Sequence, residues 1–196
     1  MQIQNNISLK PYNTFGIDAT AKHFISVKNI EELKQILSLK EHQNKLILGG
    51  GSNMLLTKDF DGLVIHINIK VIDIISEEDN SVIVKAKAGE NWHNFVLWCI
   101  NNDFGGIENL SLIPGNVGTA PIQNIGAYGI ELKDVFESCE TICLETKQMQ
   151  IFSKEDCNFG YRNSIFKQDA KGKYIITSVN FKLSKYNHNL SVNYGA

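Results

Sequence analysis

The sequence predicts an α+β fold, and three observations carry that expectation. A helix-length stretch opening on a capping signal, from about Asn29 to Lys40, precedes the short apolar runs Lys45 to Leu48 and Leu63 to Ile67. Beyond Lys70, apolar and polar residues alternate with the period of paired strands. Between these patterned segments stand two glycine clusters, Gly49-Gly50-Gly51-Ser52-Asn53 and a longer one between Gly105 and Gly129.

The first helix follows from the Asn29 to Glu32 spacing of a capping box, with Leu33, Ile36 and Leu37 on one helical face. The run Lys45 to Leu48 stops at three glycines, and Leu63 to Ile67 supplies another short strand. Val71 to Ser76 and Ser81 to Ala88 read as a hairpin, because Val82, Val84, Ala86 and Ala88 share one face and Lys85 and Lys87 the other. A second helix places Trp92, Phe95, Val96, Cys99 and Ile100 on one buried stripe, which assigns Trp92 and Trp98 to the core rather than to a ligand. Phe104 to Gly129 holds two of the three prolines and is too irregular for continuous secondary structure. A loop of that length in a compact domain is usually functional, and Ile107, Leu110, Leu112, Ile113, Ile122 and Ile125 argue against disorder. From about Val135 to Leu183 the chain again alternates as strands around turns. The expected division is a small α/β lobe over residues 1–70 and a larger α+β lobe over 71–196.

The 196 residues, 43% hydrophobic, can bury a sizeable core. A formal charge of −2 and the absence of a basic run argue against a nucleic-acid partner. No segment approaches the ~18 uninterrupted apolar residues of a membrane span, and the start has no signal-peptide pattern, so a cytoplasmic protein is expected. Cys99, Cys139, Cys143 and Cys157 lack metal-site spacing, and neither a metal nor a disulfide framework is expected.

Charge is unevenly placed. The 45 residues from Ala88 to Leu132 contain no Lys or Arg, where composition alone would put about four. Glycine-rich, cation-free segments suit a surface on which backbone N–H groups close on a ligand and hold an anionic group without fixed charge. A large, mostly neutral cofactor with an embedded pyrophosphate fits that surface. The dinucleotide fingerprint fails, because Met54 stands where its third glycine belongs, and the Gly-Lys-Ser/Thr of a phosphate loop is missing.

The motifs now in view are Pro11-Tyr-Asn-Thr-Phe-Gly16, Leu46-Ile-Leu-Gly-Gly-Gly-Ser-Asn-Met-Leu55, Ala88-Gly-Glu-Asn-Trp92, Gly106-Ile-Glu-Asn-Leu110, the run from Ile113 to Gly129, and Phe159-Gly-Tyr-Arg-Asn-Ser-Ile-Phe-Lys167. In order and spacing they resemble the UDP-N-acetylenolpyruvoylglucosamine reductases, flavoenzymes of bacterial peptidoglycan synthesis. The resemblance implies non-covalent FAD held by a two-lobed fold of the vanillyl-alcohol oxidase type. By motif, the cofactor would be held by Gly49, Gly50, Gly51, Ser52, Asn53, Met54 and Leu55 of the first loop. The second would contribute Pro114, Gly115, Gly118, Thr119, Ala120, Ile122, Asn124, Gly126, Ala127, Tyr128 and Gly129.

The same resemblance makes Arg162 the catalytic arginine beside the substrate carboxylate, with Tyr161 and Tyr194 as further substrate contacts. It implies NADPH as hydride donor and a UDP-sugar enolpyruvyl ether as substrate. The family continues into a third, substrate-binding domain with a proton-donor serine and a later glutamate, and neither motif occurs in these 196 residues. The expectation is therefore a chain that retains flavin, does not complete the reduction, and can self-associate through apolar interface left exposed. Two other readings stay open: an oxidase of the same superfamily, and a non-catalytic module that uses its glycines only as turns.

Overall fold

The computed structural model describes residues 2–188 and 190. Two sheets organise the chain. The first has four strands in the order β1-β2-β4-β3, formed by β1 (Gln4–Ser8), β2 (Thr20–Val27), β3 (Lys45–Leu48) and β4 (Phe60–Ile67). β1 runs antiparallel to β2, whereas β2 and β3 both run parallel to β4. Parallel neighbours need a crossover, and helix α1 (Ile30–Ser38) supplies it between β2 and β3. The sequence pattern marks neither β1 nor β2: β1 carries a single apolar residue, and the apolar residues of β2, Ala21, Phe24, Ile25 and Val27, do not follow a strict alternation.

α1 begins as its sequence requires, Asn29 Oδ1 accepting from Glu32 N at 2.8 Å. The Glu32 carboxylate, however, reaches Lys28 N at 2.7 Å instead of the Asn29 N–H of a standard capping box. At the far end, Lys45 Nζ donates to Leu39 O at 2.9 Å, placing a cation on carbonyls that the last turn leaves unpaired. Leu33, Ile36 and Leu37 are buried against the sheet.

The second sheet is antiparallel, in the order β10-β9-β11-β6-β5. Its strands are β5 (Ile72–Glu77), β6 (Ser81–Lys87), β9 (Phe136–Cys143), β10 (Met149–Ser153) and β11 (Tyr174–Ser184). Between β6 and β9 lie α2 (Trp92–Asn101) and a two-stranded ribbon of β7 (Gly126–Ala127) and β8 (Ile130–Glu131). The inward face of β6 carries Val82, Val84 and Ala86, which pack with Trp92, Phe95, Val96, Cys99 and Phe181 into the main core. Ile100, expected on that stripe, is 44% exposed, because it lies at the solvent edge of the face buried through Trp92, Phe95, Val96 and Cys99. Trp98 is half-buried and packs on the rim of the core. Cys99, Cys139 and Cys157 are buried free thiols, while Cys143 is only half-buried.

The segment 104–129 is more regular than its sequence suggests. It contains 3₁₀ turns at Glu108–Leu110 and Val117–Gln123, the latter accommodating Pro121. Trp92 Nε1 donates to Leu110 O at 2.7 Å and ties the segment to α2. Ile25, Val27, Leu63, Ile65 and Ile67 of the first sheet share one buried cluster with Ala88, Ile142 and Ile175 of the second region.

His66, on the opposite face of β4, packs against the Tyr12 and Phe24 rings and lies 3.1 Å by Nδ1 from Ser26 Oγ. Burial, reinforced by the nearby Lys70 charge, holds its pKa below the ordinary 6.5. The unfolded chain therefore binds a proton that the folded one resists, so this contribution to stability is complete above 6.5 and is lost as pH falls through the lowered folded value. Urea midpoints measured between about pH 7 and about pH 5 should fall less steeply for His66→Gln than for the parent chain.

Candidate functional site

The first glycine loop leaves β3 at Leu48 and turns immediately across the end of the first sheet. Gly51 adopts φ +60°, and a Cβ built on it would lie 2.0 Å from Tyr12 O, so only glycine fits. Its own carbonyl accepts from Thr14 N at 3.2 Å, which draws the Pro11–Gly16 segment against the loop.

The second loop is seated on the β6–α2 junction by main-chain bonds. Trp92 N donates to Gly115 O at 3.0 Å, Val117 N to Glu90 O at 2.9 Å, and Gly118 N to Ala88 O at 3.0 Å. Gly118 permits that approach, because its Cβ would fall 2.4 Å from Ala88 Cβ. The Glu90 side chain at this junction is partly desolvated, which raises its carboxyl pKa against the lowering effect of Lys70.

The two loops meet. A Cβ on Gly49 would lie 2.6 Å from Thr119 Cγ2, and one on Gly50 would lie 2.8 Å from Asn116 Oδ1 and 3.0 Å from Gly115 Cα. Asn53 Nδ2 donates to Gln123 Oε1 at 3.1 Å, a direct bond between the loops. Between them opens a cleft of about 250 Å³, lined by Gly49, Gly51, Ser52, Asn53 and Met54 on one side and by Pro114, Asn116, Thr119, Ala120, Ile122, Gln123 and Ile125 on the other. Ile47, Leu48 and Trp92 also contribute. An adjoining cavity of about 170 Å³ shares Ile47, Gly49, Thr119 and Ile122, and extends past Gly118 to Phe166, Tyr174 and Ile176. No charged side chain lines either space.

Five successive backbone N–H groups, from Gly49 to Asn53, have no backbone acceptor among the described residues. Left-over donors at the wall of an uncharged cleft form a binding surface for oxygen anions. The cation-free run thus corresponds to a physical wall.

Arg162, the chain's one arginine, stands at the tip of a tight turn closed by Gly160 N to Asn163 O (3.0 Å) and Asn163 N to Gly160 O (3.2 Å). Its φ is +51°, and its Nη2 donates to Gly126 O. Lys167 Nζ donates to Arg162 O at 3.0 Å. Arg162 and Tyr161 line a third hollow of about 280 Å³ with Gly126, Ala127, Tyr128, Gly129, Ile130 and Glu131. The residues grouped by sequence as a single cofactor loop therefore divide near Ile125, and Gly126 to Gly129 face the arginine hollow rather than the glycine cleft.

Four expected cofactor contacts line none of these spaces: Gly50 and Gly115, which pack against each other where the loops meet, and Leu55 and Asn124. Leu55 is 65% exposed. Asn124 is fully buried, its amide engaged with Gly160 O and with Lys133 N, so its side chain organises the loop instead of facing the cleft. Tyr194 lies outside the described residues. Asn116, Gln123 and Trp92 line the cleft without having been singled out for it. The signal for the first two was their polar character inside an otherwise small and apolar run; Trp92 fits the helical stripe as well as the cleft wall, and periodicity does not separate the two roles.

Residues 21–148 match the family model described as FAD binding domain, which covers more than half of the chain. The chain belongs to the FAD binding domain family. Among its relatives it is similar to the UDP-N-acetylenolpyruvoylglucosamine reductase of Flavobacterium johnsoniae, 60% identical over 195 residues, which is 100% of this chain and 58% of that protein. The like-named protein of Amoebophilus asiaticus is 51% identical over 198 residues, again 100% of this chain and 58% of the relative. The chain thus spans somewhat over half the length of these relatives.

Among solved structures, the UDP-N-acetylenolpyruvylglucosamine reductase of Thermus caldophilus is similar with TM-score 0.75 and 27% identity, over 93% of this chain and 62% of that one. A cholesterol oxidase of B. sterolicum shares the fold at TM-score 0.62 and 12% identity, covering 93% and 38%. The architecture of this FAD binding domain is accordingly the two-lobed fold of the vanillyl-alcohol oxidase type. Its residues suit the cofactor: an uncharged, partly apolar trough accepts ring systems, and the N–H groups of residues 49–53 suit a pyrophosphate.

Gly51→Ala and Gly16→Ala separate steric closure from backbone strain. Both residues have positive φ, but a Cβ on Gly16 meets nothing within 4 Å. Gly16→Ala should cost about 1–2 kcal/mol of unfolding free energy, the penalty of a left-handed residue. Gly51→Ala should cost at least about 1 kcal/mol more, because the first loop must move away from Tyr12.

Proposed function

We propose that this chain is the flavin-binding portion of an NADPH-dependent reductase acting on UDP-N-acetylenolpyruvoylglucosamine in peptidoglycan synthesis. The observation that carries the reading is the pairing, along one continuous loop, of a charge-free cleft with a separate hollow that holds the chain's one arginine. The similarity of the whole chain to the named reductases supports it. Residues 1–70 and 71–196 are taken as the two lobes, and the nucleotide-sugar substrate places the protein in the cytoplasm.

When bound, FAD supplies two-electron transfer from NADPH to the enolpyruvyl double bond. Residues 49–53 would hold the pyrophosphate through main-chain N–H groups, with no cation required. Arg162 exchanges its bond to Gly126 O for the substrate carboxylate, and there a permanently protonated, multi-donor group counters the charge that develops on the enolate oxygen. The highly exposed Tyr161 ring borders the same hollow and offers a face for the substrate. Completing the reduction also needs a proton on carbon. The serine motif that the resemblance to the reductases assigns to this step is not among these 196 residues, whose proposed part is to hold flavin and the substrate carboxylate.

Titrating the protein into FAD should quench flavin fluorescence saturably and shift the visible bands; unchanged emission would leave only the reading of the glycines as turns. In the flavin-loaded protein, Arg162→Ala should weaken binding of the enolpyruvyl nucleotide sugar by about ten- to a hundredfold, the worth of a charge-assisted hydrogen bond, with FAD affinity unchanged. Equal affinity in the two proteins would remove Arg162 from the substrate site and favour an oxidase with another substrate.

A further inference from the structure

The Arg162 turn carries two features that need support. Arg162 is a non-glycine residue at φ +51°, and its neighbour Tyr161 is 85% exposed, so no apolar packing of that ring holds the tip in place. Strained backbone of this kind persists only where its surroundings over-determine it.

The support lies at the two feet of the turn. On one side, Asn124 Nδ2 reaches from the cofactor loop to Gly160 O at 3.0 Å. On the other, Ser164 Oγ reaches back from the turn to Ile122 O at 2.8 Å. The two bonds run in opposite directions, each from a side chain to a main-chain carbonyl, and they flank Arg162 symmetrically in sequence. Both side chains are fully buried. Asn124 is itself fixed, left-handed at φ 42° and accepting from Lys133 N at 3.0 Å, and Ser164 Oγ also accepts from Phe166 N at 3.2 Å. Lys167 Nζ and the Arg162 side chain also bond at the tip, but only the two bonds at opposite feet tie its base to the cofactor loop through buried side chains.

We propose that Ser164 and Asn124 are positioning residues, a reciprocal brace that holds Arg162 at a set place and orientation beside the cofactor loop. The functional side of this rests on the reading of Arg162 as the partner of the substrate carboxylate. Misplacing a guanidinium by even one ångström sacrifices the directed bonds that make it selective.

Because the chain has one arginine, an arginine-specific protease cuts it only after Arg162, and the rate of that cut reports local opening of the turn. Ser164→Ala should raise the cleavage rate about tenfold, the effect of one buried hydrogen bond, while the urea midpoint shows no matching loss and FAD affinity stays within about twofold. Ser164→Thr, which keeps the hydroxyl, should restore slow cleavage. Asn124→Asp retains the acceptor for Lys133 N but loses the donor to Gly160 O, and should accelerate the same cut. In the flavin-loaded protein, Ser164→Ala should also weaken the enolpyruvyl nucleotide sugar by about tenfold.

Cleavage that rises only in step with global unfolding, or that Ser164→Thr fails to restore, would overturn the brace. So would unchanged nucleotide-sugar affinity in a Ser164→Ala protein whose turn has opened. If the parent chain binds no nucleotide sugar, the substrate reading of Arg162 fails, and the protease rates still decide whether the brace exists.

Discussion

The site depends on one short main-chain ladder, in which residues 115–118 run antiparallel to residues 88–92 at the β6–α2 junction. Each bond in it is worth only about 1 kcal/mol net, but an unmet buried amide costs more, so the ladder is strongly preferred once the loop is dehydrated. It places the second glycine segment within van der Waals distance of the first, and the contacts at Gly49, Gly50 and Gly118 leave no room for side chains there. The first loop, excluded from any ladder of its own, is left with its N–H groups unshared. The binding surface is thus a by-product of which of two adjacent loops wins the available backbone partners.

On the proposed reading of the site, that arrangement also separates two ways of recognising negative charge. In the glycine cleft the donors are neutral dipoles fixed by the fold; in the neighbouring hollow the donor is a full cation on a long side chain. Rigid dipoles suit an anionic group that stays bound and unchanged, since they need no reorganisation to hold it. A mobile guanidinium suits a group that comes and goes, because it can hold a protein carbonyl, as Arg162 holds that of Gly126, until the ligand arrives.

Much of this was legible from residue order alone, and the remainder was not, for identifiable reasons. α1 follows from Asn29 and from the spacing of Leu33, Ile36 and Leu37; β6 follows from the alternation of Val82, Val84 and Ala86. The cleft wall follows in outline from two glycine clusters and a gap in positive charge. β1 and β2 escaped because β1 is exposed along most of its length and offers little apolar signal. The division of the second loop near Ile125 escaped because it is set by the buried Asn124, whose partners Gly160 and Lys133 lie 36 and 9 residues away. Local pattern cannot show that a polar residue in a binding motif points inward.

The cluster that joins Ile25, Val27, Leu63, Ile65 and Ile67 to Ala88, Ile142 and Ile175 reaches beyond the core itself. Opening the two halves like a clamshell would wet that whole seam, at about 25 cal/mol for each square ångström exposed. Capture by domain closure is thereby made expensive. The gap between the glycine loops is therefore a feature of the resting fold and not of a closed form.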